Sequence, residues 1–275
     1  MPCAFPIQSK QALLDEFEKT CEFLINEKKQ NIRLAVIDHI SSATALLYPV
    51  KEIIKIVRKW SPNAVVLVDG AHAIGQVDTD INNLDCDFYV SNLHKWFFSP
   101  KSCSFLYFRD NENLSLKLQP NYISHCYTRG IPLNFYMRAT MDQSTWYLVD
   151  DCVNYYENYI GGLAEISKHS SRVLEEAVGM LVKEWKTSIL QIPKDLEAPF
   201  MKIIKLPIMK GYEIGSNDAE KISIQIMKDI FEKFNVVCCV MIIQNELYCR
   251  ISCFVYNSIE DYVALKDAVL KLVEA

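Results

Sequence analysis

Two short stretches constrain this chain more than anything else in it: Val65-Val66-Leu67-Val68-Asp69-Gly70-Ala71-His72 and Tyr89-Val90-Ser91-Asn92-Leu93-His94-Lys95-Trp96. The first is a β-branched apolar run that stops on a carboxylate and a glycine and then offers an imidazole. The second is another strand-like run, ending in Ser, Asn, His and Lys. In an open α/β sheet, ligands bind beyond the carboxyl ends of the strands. Two such strands would bring Asp69, His72, Ser91, His94 and Lys95 to one edge.

The rest of the chain reads as the setting for those strands. Apolar positions at helical spacing over 9–29 and again over 49–60, where Pro49 opens the first turn, predict two amphipathic helices. Residues 32–37 read as a central strand ending at Asp38-His39, a short helix is expected after Asp69, and 86–91 and 104–108 read as further strands. Strands alternating with helices predict a mainly parallel sheet flanked by helices. Residues 111–143 are irregular and contain Pro120, Gly130 and Pro132, which marks them as a candidate interface segment. Residues 145–182 read as helical with a joint at Gly161-Gly162. After them come a strand at 201–206, a helix at 218–234, strands at 236–243 and 246–254, and a last helix at 259–273. The expected division is a large α/β domain over 1–185 and a small α+β domain over 186–275.

Composition narrows the function. Half of the 275 residues are hydrophobic, enough for one large domain or two small ones, and the net charge of -5 comes with no basic block. Nucleic acid is therefore not an expected partner. The apolar runs are too short for a membrane helix, and no secretory signal is evident at Met1-Pro2-Cys3. The ten cysteines are scattered without a CxxC pair, so neither a metal site nor a disulfide framework is expected. Buried free thiols in a reducing, cytoplasmic setting fit better.

Each candidate residue has an ordinary reading beside the chemical one. Most lysines are simply exposed; Lys95 becomes reactive only if a poorly solvated pocket, here furnished by Trp96, Phe97 and Phe98, lowers its pKa. Asp69 before Gly70 is equally a turn residue. His72 is equally a satisfied polar side chain, and Ser91 and His94 are equally turn caps. The combination carries the argument. A lysine able to form a Schiff base, with a carboxylate able to keep a ring nitrogen protonated, is the apparatus of pyridoxal phosphate chemistry.

The run Val68-Asp69-Gly70-Ala71-His72-Ala73, followed by Asp87 through Trp96, resembles the class V aminotransferases of pyridoxal phosphate fold type I. It is most similar to their branch of isopenicillin N epimerase-like proteins and plant-type L-cysteine desulfhydrases, where Ser/Thr-Asn-Leu-His-Lys-Trp marks the Schiff-base lysine. The resemblance implies Lys95 as that lysine, Asp69 as the pyridinium partner, His72 near the ring oxygen, and Ser91 and His94 on the phosphate. It extends over nearly the whole chain. Within Asp38-His39-Ile40-Ser41-Ser42-Ala43-Thr44 it places Ser42 facing the cofactor. In Arg250-Ile251-Ser252 it makes Arg250 the clamp for a substrate carboxylate, a task suited to a planar guanidinium. In Phe135 through Asp142 it makes Thr140 a phosphate contact of a neighbouring subunit, although Ala139 stands where the family has glycine. It also implies a homodimer with active sites at the subunit boundary.

Members of that branch carry a long segment ahead of the point where this chain starts, including a helix N-terminus that binds the phosphate. The chain is thus expected to be N-terminally truncated, holding the lysine half of the site without much of the phosphate cup, at a cost in cofactor affinity. The implied reaction is cleavage of a carbon–sulfur bond in cysteine or a related amino acid. Cys238, Cys239, Cys249 and Cys253 lie in strand-like runs, and buried thiols are inert, which ranks a persulfide-forming desulfurase lower. An epimerase or aminotransferase using the same residues, or a non-catalytic relative acting as a dimer partner, are the alternatives.

Overall fold

The computed structural model describes residues 3–109, 118–136, 140–212 and 219–274. Ser9 opens the first helix, α1 (Lys10–Glu22), its hydroxyl accepting from the Ala12 N–H at 3.1 Å. Strand β1 (Leu34–Asp38) leads to α2 (Val50–Trp60), capped by Pro49, and then to β2 (Val65–Asp69). Strand β3 (Phe88–Asn92) runs directly into the single-turn α3 (Leu93–Trp96), and β4 (Ser104–Phe108) returns alongside it. These strands form one sheet in the order β1-β2-β3-β4, with β1, β2 and β3 parallel and β4 antiparallel to β3.

The register sorts the side chains onto two faces. Ile37, Val66, Val68 and Tyr89 look toward α1 and α2, where Leu14, Val50, Ile53, Ile54 and Val57 complete a buried core. The other face carries Leu34, Val36, Leu67, Phe88, Val90 and Leu106. Over β3 and β4 this second face is roofed by Leu118, Ile131, Leu133 and Phe135, enclosing a cavity of about 600 Å³. At β1 it is bare: Leu34 is 55% exposed and Val36 60%. The expectation of a central strand at 32–37 is thus corrected, since β1 is an edge strand among the described residues. Apolarity at both faces signals burial on both sides, but it cannot show that this chain leaves one side open.

The short helix expected after Asp69 is also corrected. A series of turns occupies 71–76, and only Ile81–Asn83 forms a single 3-10 turn. Gly75, at φ +88°, lies where a Cβ would sit 2.1 Å from the Trp96 carbonyl oxygen, so the turn packs on the backbone of α3.

Two short helices, Ser144–Tyr147 and Val149–Asn154, precede the long α4 (Gly162–Trp185), and Gly161 and Gly162 with positive φ make the joint. Strand β5 (Met201–Lys205) pairs antiparallel with β7 (Glu246–Ser252), which also takes β6 (Cys239–Ile243), in the order β5-β7-β6. Helices α5 (Ala219–Phe234) and α6 (Ile259–Glu274) cover this sheet together with the C-terminal half of α4, from Val173 to Trp185, in one buried cluster. No helix among the described residues is long and apolar enough to cross a membrane. The Met137, Arg138 and Ala139 positions and Asp218 lie outside the described residues.

Gly70 has a steric reason. A Cβ built there would stand 2.2 Å from the ring and hydroxyl of Tyr89, which is itself fully buried and bonded to His39 Nδ1 at 2.9 Å. Gly70→Ala must therefore displace a packed ring, an overpacking cost of about 1–3 kcal/mol. The expected result is a lower urea midpoint with an unchanged slope; an unchanged midpoint would contradict this packing.

Candidate active site

Strand β2 ends at Asp69 and β3 feeds α3, so the carboxyl ends of two adjacent strands deliver the site. Asp69 Oδ1 accepts from the Ala71 N–H at 2.9 Å, which tightens the turn that carries His72 inward. His72 is 8% exposed, and both of its ring nitrogens are engaged. Nε2 lies 3.3 Å from Lys95 Nζ, and Nδ1 accepts from the Trp96 indole N–H at 3.2 Å. Trp96 is anchored edge-on to Phe254, with Phe200 tilted beside it, while Phe97 stacks on Tyr156 and Phe98 packs against Phe254. Lys95, next to Trp96 in α3, is half-buried. Burial lowers its pKa most; the Asp69 charge opposes that shift and the Arg250 charge adds to it.

Arg250 comes from β7, on the other sheet. Its Nη1 donates to the Ser42 carbonyl oxygen at 2.7 Å and to Ser42 Oγ at 2.8 Å, tying the 41–44 loop to β7. Its Nε is buried without a hydrogen-bond partner among the described residues, a donor that asks for an acceptor. Asp38 stands beside Asp69 in register, and burial followed by the Asp69 charge raises its pKa.

The remaining predicted residues are placed differently. Ser91 is buried and its hydroxyl donates to the Gly70 carbonyl oxygen at 2.7 Å, locking the β2 turn to β3. His94 Nδ1 bonds to the Cys103 carbonyl oxygen at 2.9 Å, so Nδ1 carries a proton and only Nε2 faces elsewhere. Thr140 is exposed, directly after the undescribed 137–139, and no bond joins it to the others among the described residues. Asp69, His72, Lys95 and Arg250 form one electrostatic cluster, with Ser42 attached through Arg250.

Sequence reasoning missed Gln76. Fully buried, it donates from Nε2 to the His72 carbonyl oxygen at 2.6 Å and accepts at Oε1 from the Phe200 N–H at 3.2 Å. It fastens the His72 turn to the entry of β5. A glutamine four residues after a histidine, in a predicted short helix, gave no signal of that span.

The cysteines also depart from expectation in part. All ten are free, and Cys249 and Cys253 are buried, but Cys238 and Cys239 are only half-buried. A hydrogen bond with Cys249 lowers the Cys238 pKa, and that bond and burial raise Cys249. No group of residues able to hold a metal ion occurs among the described residues.

Buried imidazoles make the fold acid-sensitive. Burial lowers the His39 pKa from 6.5 to about 4. Burial, then the Lys95 and Arg250 charges, lower His72 to about 3. The unfolded chain binds these protons first, so the stability the neutral rings contribute is complete above pH 6.5 and is lost as pH falls toward 4 and 3. Each ring steepens the loss by up to about 1.4 kcal/mol per pH unit. His39→Phe should flatten the acid limb of a stability–pH curve; an unaltered limb would contradict the assignment.

Lys95, an amine of lowered pKa, thus stands with a strand-end carboxylate and an arginine donor, groups that condensation with a carbonyl would require. The chain matches the family described as aminotransferase class-V over residues 10–265, and it belongs to that pyridoxal phosphate-dependent family. It is 32% identical over 285 residues to a rice protein named putative L-cysteine desulfhydrase 1, covering 99% of this chain and 58% of that one. It is 34% identical over 278 residues to an Arabidopsis thaliana protein named probable L-cysteine desulfhydrase, chloroplastic, covering 98% and 57%. Among solved structures, a NifS-like protein superposes with a TM-score of 0.66 at 19% identity, covering 95% of this chain and 65% of that one, which shows the fold. The chain thus spans somewhat over half the length of these curated relatives.

Proposed function

We propose that this chain forms the lysine-bearing part of a pyridoxal phosphate-dependent lyase that cleaves the carbon–sulfur bond of cysteine or a related amino acid. The observation that carries the proposal is the junction of Lys95 with His72 at 3.3 Å, in a desolvated cluster acted on by Asp69 and Arg250. The names of the relatives support the substrate class. The residues present fit the aldehyde and pyridine end of the cofactor. Lys95 offers an amine of lowered pKa and Asp69 a carboxylate at the strand edge, while Arg250 Nε, without a partner among the described residues, is a donor for a substrate carboxylate.

When bound, the cofactor supplies an electron sink for the bonds at the substrate Cα. Lys95 Nζ would hold the aldehyde end of the cofactor and, as a free amine, would take the Cα proton. Asp69 would sit at the ring nitrogen, where its charge would keep that nitrogen protonated and strengthen the sink. His72, neutral with its pKa at about 3, stays a fixed hydrogen-bonding group throughout the neutral range. Arg250 holds the substrate carboxylate, and its bonds to Ser42 keep the guanidinium oriented. A proton leaves Cα, the C–S bond breaks with both electrons on sulfur, and water completes the products sulfide, pyruvate and ammonia. His94 Nε2 would serve the phosphate end, Ser91 braces the turn after β2 against β3, and a homodimer in the cytoplasm completes this reading.

The test is turnover of L-cysteine by the chain with added pyridoxal phosphate. Equal release of sulfide and pyruvate is expected. Amino transfer to a keto acid without sulfide would contradict the lyase assignment.

A further inference from the structure

The order of contacts Trp96 Nε1, His72 Nδ1, His72 Nε2, Lys95 Nζ fixes where protons sit. An indole N–H has a hydrogen to give and no lone pair to accept with. At 3.2 Å it therefore makes His72 Nδ1 an acceptor. A neutral imidazole carries a single ring proton. In His72 that proton is on Nε2, the atom 3.3 Å from Lys95 Nζ. An N–H aimed at a lysine suits a free amine, which has a lone pair, and clashes with an ammonium, which has only hydrogens.

We propose that Trp96 is a positioning residue that, through the tautomer it imposes on His72, holds Lys95 as the free amine. The use of that amine, condensation with an aldehyde and removal of a proton from carbon, rests on the function proposed above; the proton arrangement does not. The charged groups facing Lys95 are Asp69 from β2, which favours the ammonium, and Arg250 from β7, which disfavours it. Burial and Arg250 push in the same direction as the His72 N–H, so the three together oppose Asp69. His72 itself stays uncharged because it is buried against Lys95 and Arg250. The sequence placed Trp96 only as an aromatic wall; its indole nitrogen gives it a second task.

The experiment is a titration of Lys95 in the full chain without added cofactor, by competitive acetylation across pH and mass spectrometry of the Lys95 peptide. Trp96→Phe frees His72 to move its proton to Nδ1 and to accept from an ammonium at Nε2. The Lys95 midpoint is then expected to rise by about one pH unit, a roughly tenfold loss of free amine below both midpoints. In a His72→Phe background the same Trp96→Phe change is expected to add nothing. An unchanged midpoint in Trp96→Phe, or an equal rise without His72, overturns the proposal. Trp96 is buried beside Phe200 and Phe254, so folding of its variant is a separate matter. Ring-nitrogen NMR of His72 in the unaltered chain decides independently: a protonated Nε2 with a bare Nδ1 supports the relay, and the reverse overturns it. If these results hold while cysteine is not turned over, the proposed function fails and the relay stands.

Discussion

Lys95→Ala is expected to abolish turnover, with a loss of about 10³-fold or more in kcat, since in the proposed mechanism the same amine both holds the cofactor and moves the proton. The fold should survive. Lys95 is half-buried, and its neighbour His72 keeps the Trp96 bond when the amine is gone. Lys95→Arg is the stricter form of this prediction. A guanidinium keeps the positive charge but does not deprotonate in proteins, so it has no lone pair for a carbonyl carbon. Arginine should therefore be as inactive as alanine, with thermal unfolding close to that of the parent chain. Substantial activity in either variant, measured as sulfide release, would remove Lys95 from the mechanism.

Asp69→Asn should produce the next largest loss, about 10²–10³-fold in kcat, the range associated with removing one preorganised electrostatic partner. The amide keeps an oxygen for the Ala71 N–H, so the turn into His72 is preserved and only the charge is lost. The sign of its effect on Lys95 is opposite to its effect on catalysis. The Asp69 charge raises the Lys95 pKa, so without it the amine is free at lower pH and attaches to an aldehyde more readily there. Covalent attachment extended toward acid, together with collapsed turnover, is the expected pair of results. A parallel fall of both would mean that Asp69 acts only through the structure of the turn.

How much of this could be read from the chain differs between elements for physical reasons. Strands β2 and β4 fall where the apolar runs place them, at 65–69 and 104–108, because flanking turn residues stop each run sharply. Helix α2 starts after Pro49 as the fixed φ of proline predicts. The edge position of β1 was not legible: a run such as Leu34–Asp38 reports apolarity and not whether neighbours exist. Gly70 read as a turn residue, yet the contacts that forbid a side chain there and at Gly75 come from Tyr89 and Trp96, about twenty residues away.

The site shows the same division. The conjunction of Asp69, His72 and Lys95 was visible because strand ends in a parallel sheet converge on one edge. The pairing of Arg250 with Ser42 spans 208 positions and depends on how two sheets meet, which no local spacing encodes. Ser91 was read as a phosphate donor from its position before Lys95, but in this structure its hydrogen goes to the Gly70 carbonyl oxygen. Hydroxyl direction is set by the nearest acceptor, and that acceptor belongs to another strand.

The proposed role of Lys95 is that of the cofactor-holding amine. Its most direct test is borohydride reduction of the chain after addition of pyridoxal phosphate, followed by peptide mapping. One reduced pyridoxyl group per chain is expected, on the peptide containing Leu93-His94-Lys95-Trp96. Label scattered over exposed lysines, with none enriched at Lys95, would contradict it.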